Sequence, residues 1–202
     1  LEHRVFYIKL SKCLFCQTSV DYLGHIIGNG GVHADPEKLE VMRSWPAPTT
    51  AKKLRGFLGL TGYYRRFILH YASIAAPLTD LLKKYSFIWT ESANDSFERL
   101  KSAMTTAPVL KLPNFEETLV VESDASAVGV GAVLMQDGKP IAFFSKKLSP
   151  RMQAASTYHR ELYAIVEAVN KWRQYLLGKK FIIRRDHHSL KELLQQVIQT
   201  PE

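Results

Sequence analysis

Asp124, Glu161 and Asp186 are the residues whose type and placement could do chemistry. Asp124 closes an apolar run, LVVESD at 119–124, and is followed by the small residues of ASAVGVGAVL. That pattern predicts a buried strand whose last residue emerges at an open edge, then a tight turn into a second strand. Glu161 stands near the start of a long amphipathic helix, and Asp186 ends another apolar run, FIIRRD. An acid at a strand end is most often merely solvated. Three of them, 37 and 25 residues apart but delivered by two strand ends and a helix, can converge on one pocket. Two Mg²⁺ ions about 4 Å apart need such an all-oxygen cluster to activate a water and stabilise a leaving 3′-oxygen.

The elements that would position these acids follow from periodicity. Strands are expected at about 118–124, 128–135 and 140–146 as an antiparallel set, with Asp137-Gly138 setting the second turn. A helix over about 154–177 has Leu162, Ile165, Val166, Val169, Trp172 and Leu176 as its inner stripe and ends at Gly178. A strand at 180–186 follows, then a short helix from Ser189, whose partner three residues on, Glu192, completes a capping box.

The first half reads differently. The runs VFYIKL (5–10) and VDYLGHII (20–27), with GNGG at 28–31 as a turn, suggest a small β-hairpin region. Asp35-Pro36-Glu37 is a helix start, and Trp45-Pro46-Ala47-Pro48 stops that helix. Thr49 or Thr50 caps a second helix with Leu54, Phe57, Leu58 and Tyr64 at helical spacing. A third is expected at roughly 74–84, and a fourth, capped by Thr90 or Ser92, aligns Ala93, Phe97, Leu100 and Met104. Pro108 and Pro113 mark the passage between the halves.

The net charge of +8 is uneven: residues 1–113 hold 15 Lys and Arg against 9 Asp and Glu, and the remainder 12 against 10. A basic first half beside a nearly neutral, acid-centred second half suits a phosphate-gripping platform feeding a metal site. Lys52, Lys53 and Arg55 on the second helix, and Arg65 and Arg66 after it, are the candidate phosphate contacts. Glycines at 56, 59 and 62 on that helix point to close approach by another backbone, whether a nucleic-acid strand or a neighbouring helix. No apolar run approaches the ~20 residues of a membrane span and no leader is evident, which argues for a soluble, intracellular protein without a membrane partner. Cys13 and Cys16 form a lone C-x-x-C. A structural zinc normally takes four ligands, so the pair reads as two reduced thiols near a strand, one packed inside.

At this point the sequence resembles a known family. SDASAVGVGAVLMQDGKPIAFFSKKLSP, then YHRELYAIVEAVNKWRQYLLGKKFIIRRDHHSLKELL, are similar to the RNase H domain of Ty3/gypsy-type long-terminal-repeat retrotransposons. The first 110 residues resemble the region before it in the same polyprotein, through KCLFCQTSVDYLGHIIGNGGVHADPEKLEVMRSWPAPTTAKKLRGFLGLTGYYRRFI, APLTDLL and FIWT. The resemblance implies an α/β (α+β) chain in three parts. Residues 1–34 would end the palm with its primer-grip hairpin, 35–113 would form a mostly helical thumb and connection, and 114–202 a carboxyl-terminally truncated RNase H-like mixed sheet with helices.

It further implies a divalent-metal-dependent endonuclease cutting RNA in RNA–DNA hybrids. Asp124, Glu161 and Asp186 would hold two Mg²⁺ (or Mn²⁺) ions, while Ser123, Ser126 and the backbone of Gly129 and Gly131 would let the hybrid approach, and Tyr158 and His159 would line the cleft or serve the helix start. The implied partners are the hybrid and the rest of the polyprotein, palm, fingers and integrase, in the cytoplasm (in virus-like particles) or the nucleus. The sequence departs from the pattern in three ways. It has no counterpart of the family's further aspartate in an A-D-A-L-S-R-like segment, Arg185 precedes Asp186 where threonine is usual, and no Y-x-D-D turn of a polymerase occurs. His187 and His188 are the wrong donors for Mg²⁺. These departures keep a second expectation open: a non-catalytic nucleic-acid-binding or scaffold fragment of a decayed or co-opted element.

Overall fold

The computed structural model describes residue 7, residues 9–83 and residues 87–184. After a single 3₁₀ turn at Leu10–Lys12, three short antiparallel strands form a sheet in the order β1 (Ser19–Tyr22), β2 (His25–Gly28), β3 (Gly31–Ala34). The expected hairpin about GNGG forms as β2 and β3, with Gly28 opposite Gly31, but the run at 20–27 is not one strand. Tyr7 and Lys9 are irregular, Leu10 enters the turn, and 20–27 splits into β1 and β2 about a two-residue turn. Leu23 (φ 50°) and Gly24 (φ 72°) both take the left-handed conformation of a type I′ turn. Such a short turn, with an apolar residue in it, hides inside an apolar run.

Four helices follow: α1 (Pro36–Arg43), α2 (Ala51–Tyr63), α3 (Tyr71–Leu81) and α4 (Glu91–Thr105). The starts of α1, α2 and α4 are set by side chains that accept from otherwise unpaired backbone N–H groups. Asp35 accepts from Glu37 N at 2.9 Å, Thr50 from Lys53 N at 3.3 Å and Thr90 from Ala93 N at 3.2 Å. α3 begins three residues before the expected 74, at the left-handed residue His70. Met42, Leu54, Phe57, Tyr64, Phe67, Leu78, Phe97, Leu100 and Met104 are buried together, with Ala34 and Leu110 from either side of the helices. The small sheet and the helices therefore share one core.

The second sheet has the order β6-β5-β4-β7. β4 (Leu119–Ala125), β5 (Gly129–Gln136) and β6 (Lys139–Lys147) run antiparallel, and β7 (Phe181–Arg184) lies parallel to β4. Asp137 and Gly138, at φ 50° and 71°, make the type I′ turn that their sequence demands. After a short α5 (Pro150–Gln153), the helix expected over 154–177 forms as α6 (Thr157–Lys171) and α7 (Arg173–Leu176). Ser156 caps α6 by accepting from His159 N, so His159 belongs to a helix start. Its inner stripe is also rotated from expectation: Glu161, Ala164, Ala168, Trp172 and Leu176 are buried, whereas Leu162 and Val166 are exposed. The two alanines let α6 lie close against β4 and β5, and the larger residues fall to its flanks.

The sheet is covered on both faces. On one, α6 and α7 pack Ala168, Trp172 and Leu176 onto Leu119, Val121, Ala132 and Leu134. On the other sits the helical half, joined by Phe143 of β6, which packs against the helical core, and by polar contacts. Ala72 N donates to Ser145 Oγ at 2.8 Å, Arg65 donates to the Ser145 carbonyl at 2.7 Å, and Lys147 pairs with Asp80 at 2.9 Å. Cys13 is half-buried and Cys16 exposed, both as free thiols, so neither packs inside as expected. Among the described residues no helix is long and apolar enough to cross a membrane.

Candidate active site

The site gathers at the carboxyl end of β4. This strand leaves toward β5 through a turn at Ser126, whose hydroxyl accepts from Gly129 N and donates to Gly129 O, both at 3.0 Å. Its other neighbour, β7, runs parallel to it. A crevice outside the carboxyl ends of parallel strands, where connections diverge, is the place such sheets bind ligands. Here it is a cleft of about 250 Å³ lined by Leu69, His70, Glu122, Ser123, Asp124, Gly131 and Arg184, among others. Asp124 is exposed in it.

Strand register fixes which face each residue takes. Asp124 lies directly opposite Gly131, and residues so paired share a face. A Cβ on Gly131 would come within 2.8 Å of His70 Nδ1, so Asp124 is on the face turned to the helical half. Glu122, two residues back on the same face, is held by Arg184 at 2.8 Å. Ser123 alternates to the α6 face, where its buried hydroxyl has no hydrogen-bond partner among the described residues. Glu161, only 4% exposed, lies on α6 under that opposite face and is not part of the cleft wall. An ion shared by Asp124 and Glu161 would therefore have to sit beyond the end of β4, where the two faces join. Asp186, with Arg185, His187, His188 and the expected Ser189–Glu192 cap, lies outside the described residues. Among the described residues no group of three or more His, Cys, Asp or Glu is arranged to hold a metal.

Three cleft residues escaped the sequence reading. Glu122 could have been found, since period-two alternation puts it on the face of Asp124. Arg184 follows from the same rule once β7 is paired to β4. His70, 54 positions before Asp124, gives no sequence signal at all; only the packing of α3 on β5 brings it there.

The candidate phosphate contacts divide. Lys52, Lys53 and Arg55 are exposed on α2, with Lys53 Nζ 3.2 Å from Thr49 Oγ1. Arg65 lies over the Tyr71 ring, 5.6 Å from its centroid, while bonding Ser145 O, so its guanidinium ties the helical half to the sheet. Arg66 is exposed near the end of α2. Gly129 faces Ser73 Oγ, which a Cβ would meet at 2.9 Å, so the close approach it permits is made within the chain. Of the helix glycines, a Cβ on Gly62 would meet Tyr71 Oη at 3.5 Å, whereas one on Gly59 would meet nothing within 4 Å among the described residues.

The comparisons with known proteins decide the family. Residues 89–183 match the RNase H-like domain found in reverse transcriptase. The chain is 44% identical over 188 residues to the retrovirus-related Pol polyprotein from transposon 297 of Drosophila melanogaster, covering 92% of this chain and 18% of that protein. It is 39% identical over 197 residues to the Pol polyprotein from transposon gypsy of the same organism, covering 91% and 19%. This chain belongs to the Ty3/gypsy-type Pol family. It spans about a fifth of the length of those Pol relatives. The foamy viral protease-reverse transcriptase, solved in complex with an RNA/DNA hybrid, shares the fold of this Pol segment at a TM-score of 0.78, with 24% identity over 91% of this chain and 26% of that one. The mixed α+β class, with a small sheet, a helical block and a four-stranded mixed sheet, is thus both expected and found.

Proposed function

We propose that this Pol segment is the hybrid-gripping and RNase H part of a reverse transcriptase, cutting RNA in RNA–DNA hybrids from the carboxyl end of β4. The observation carrying this is Asp124, exposed in an open cleft at the end of a central strand whose parallel neighbour leads toward Asp186. Beside His70, the cleft's side-chain donors on this face are the carboxylates of Asp124 and Glu122, which suit Mg²⁺ or Mn²⁺. Asp124, Glu161 and Asp186 would hold such ions, which when bound polarise the scissile phosphate and lower the pKa of a water. The protein's own contribution is positional: Arg184 holds Glu122 beside Asp124, and the glycine at 131 keeps that face low enough for His70 to overhang it. In this reading residues 1–34, 35–113 and 114–202 correspond to palm end, thumb with connection, and RNase H-like domain. The remaining Pol segments are the partners.

The grip is assigned to α2. Lys52, Gly56, Gly59 and Tyr63 follow one another at three- and four-residue spacing on its exposed side, with Arg55 beside Gly56. A glycine in a helix interior costs about 1 kcal/mol relative to alanine. At Gly59 no packing among the described residues offsets that cost, which fits an external backbone lying against the helix.

The test is Mg²⁺-dependent cleavage of a labelled hybrid by a Pol chain extended through the following acidic segment. Asp124→Asn should lower the rate by about 100-fold or more while leaving the melting temperature in place. Cleavage that survives this change removes the site, and no cleavage by the unaltered extended chain removes the activity. Gly59→Ala should stabilise the fold by up to about 1 kcal/mol yet weaken hybrid binding. Unchanged affinity would mean α2 faces elsewhere.

A further inference from the structure

A second cavity, of about 420 Å³, opens where three parts of the fold meet: the β1–β2 turn, the end of α2, and the segment 111–113 with Tyr175 of α7. Its deeper lining is apolar, with Ile141 only 2% exposed and Ile27 and Val32 half-buried. Tyr22 and Tyr63, 59% and 50% exposed, stand at its mouth. Two cations, Arg66 and Lys111, join the lining, and among the described residues no carboxylate does. Lys111 is anchored by Glu117 and Asp137, whereas Arg66 makes no hydrogen bond or ion pair among the described residues.

We propose that this cavity receives one unpaired nucleotide of a strand lying along α2. The base would stack against the phenol rings over the apolar floor, and its phosphate would meet the free Arg66 guanidinium. Position supports the assignment independently of chemistry. Tyr63 belongs both to the cavity and to the open side of α2, four residues from Gly59. A strand following that side from Lys52 travels about 17 Å and arrives at the mouth. The volume lies within the ordinary range of ligand pockets, roughly 300–1,000 Å³, and its site at a junction of subdomains is typical of them. This inference rests on the nucleic-acid reading above, so the test separates the two.

Binding is measured by fluorescence anisotropy at fixed salt with three labelled hybrids. One is blunt, one carries a three-nucleotide single-stranded tail, and one carries a tail of the same length without bases. The base-bearing tail should tighten binding about tenfold over both others, the order of one aromatic stack. Tyr22→Leu, outside the proposed grip and cleavage site, should remove most of that gain without changing the blunt hybrid's affinity. Leu112→Glu, which places a carboxylate at the half-exposed rim, should do the same by repelling the phosphate. Equal affinity for base-bearing and abasic tails overturns the pocket while leaving the grip intact. Failure to bind even the blunt hybrid overturns the nucleic-acid reading itself.

Discussion

The two faces of the four-stranded sheet are built on different physics. Toward α6 and α7, Leu119, Val121, Ala132 and Leu134 meet Ala168, Trp172 and Leu176 in a dry layer. Toward the helical half, Ser145, Lys147, Gly129 and Gly131 meet the backbone of Ala72, the side chains of Asp80 and Ser73, and the ring of His70. The first face is held by non-directional apolar burial, which sums over area. The second is mainly a seam of single hydrogen bonds and glycine clearances, each of which depends on exact placement, with Phe143 of β6 packed against the helical core beside them. Asp124 lies on the seam side, so the candidate site is framed by the more easily shifted of the two layers. Such segments, with few apolar contacts, open at lower free energy than a core.

If the contrast is right, the largest loss of stability comes from the dry face. Leu134 is fully buried, and Leu134→Ala should cost about 2–5 kcal/mol in denaturant unfolding, through lost burial and the cavity left behind. A cost under 1 kcal/mol would mean that this layer is not the principal core of the sheet.

Gly131→Ala probes the seam and should cost about 1 kcal/mol, since the added Cβ meets a His70 ring that can be pushed aside. His70 also sits at φ 56°, a conformation glycine adopts freely. His70→Gly should therefore both relieve the backbone and restore the Gly131→Ala variant to near wild-type stability. A double-mutant cycle reads this as coupling between positions 61 residues apart. Strict additivity would show that the two do not touch.

The same contrast explains what the sequence made legible. Helix starts at Asp35, Thr50 and Thr90 were readable because a cap is a local bargain between one side chain and the next turn. So were the strands around Asp124 and the turn at Asp137-Gly138, where alternation and φ preference act within a few residues. The Leu23-Gly24 turn was missed because leucine in a left-handed position carries no turn signal. The α6 stripe was misplaced because alanine, not leucine, was chosen for close approach to the sheet, a preference only the partner surface creates. At the site, Asp124 declared itself by its strand, but the seam residues His70 and Arg184 depend on contacts between distant segments, for which no periodicity exists.

The smallest effect expected is electrostatic and lies on the seam's rim. The hydrogen bond from Lys147, joined by Lys83, holds the Asp80 carboxyl below its ordinary range, although burial pulls the other way. The folded chain therefore binds this proton less readily than the unfolded chain. The pair's contribution is then present above the unfolded carboxylate value, about pH 4, and is lost as pH falls through the depressed folded value. With both side chains well exposed, at 39% and 44%, the contribution should stay under about 1 kcal/mol and shrink with added salt. Asp80→Asn should accordingly narrow the difference in unfolding free energy between pH 6 and pH 2.5, and cost almost nothing at the acid end. Because the Asp137 carboxyl, likewise held below its ordinary range by the hydrogen bond from Lys111, titrates in the same window, the comparison must be the variant against wild type across pH, rather than the wild-type curve alone. A variant curve parallel to wild type would show that Lys147 does not depend on Asp80, and that the seam is fastened at Ser145 and the glycines without help from charge.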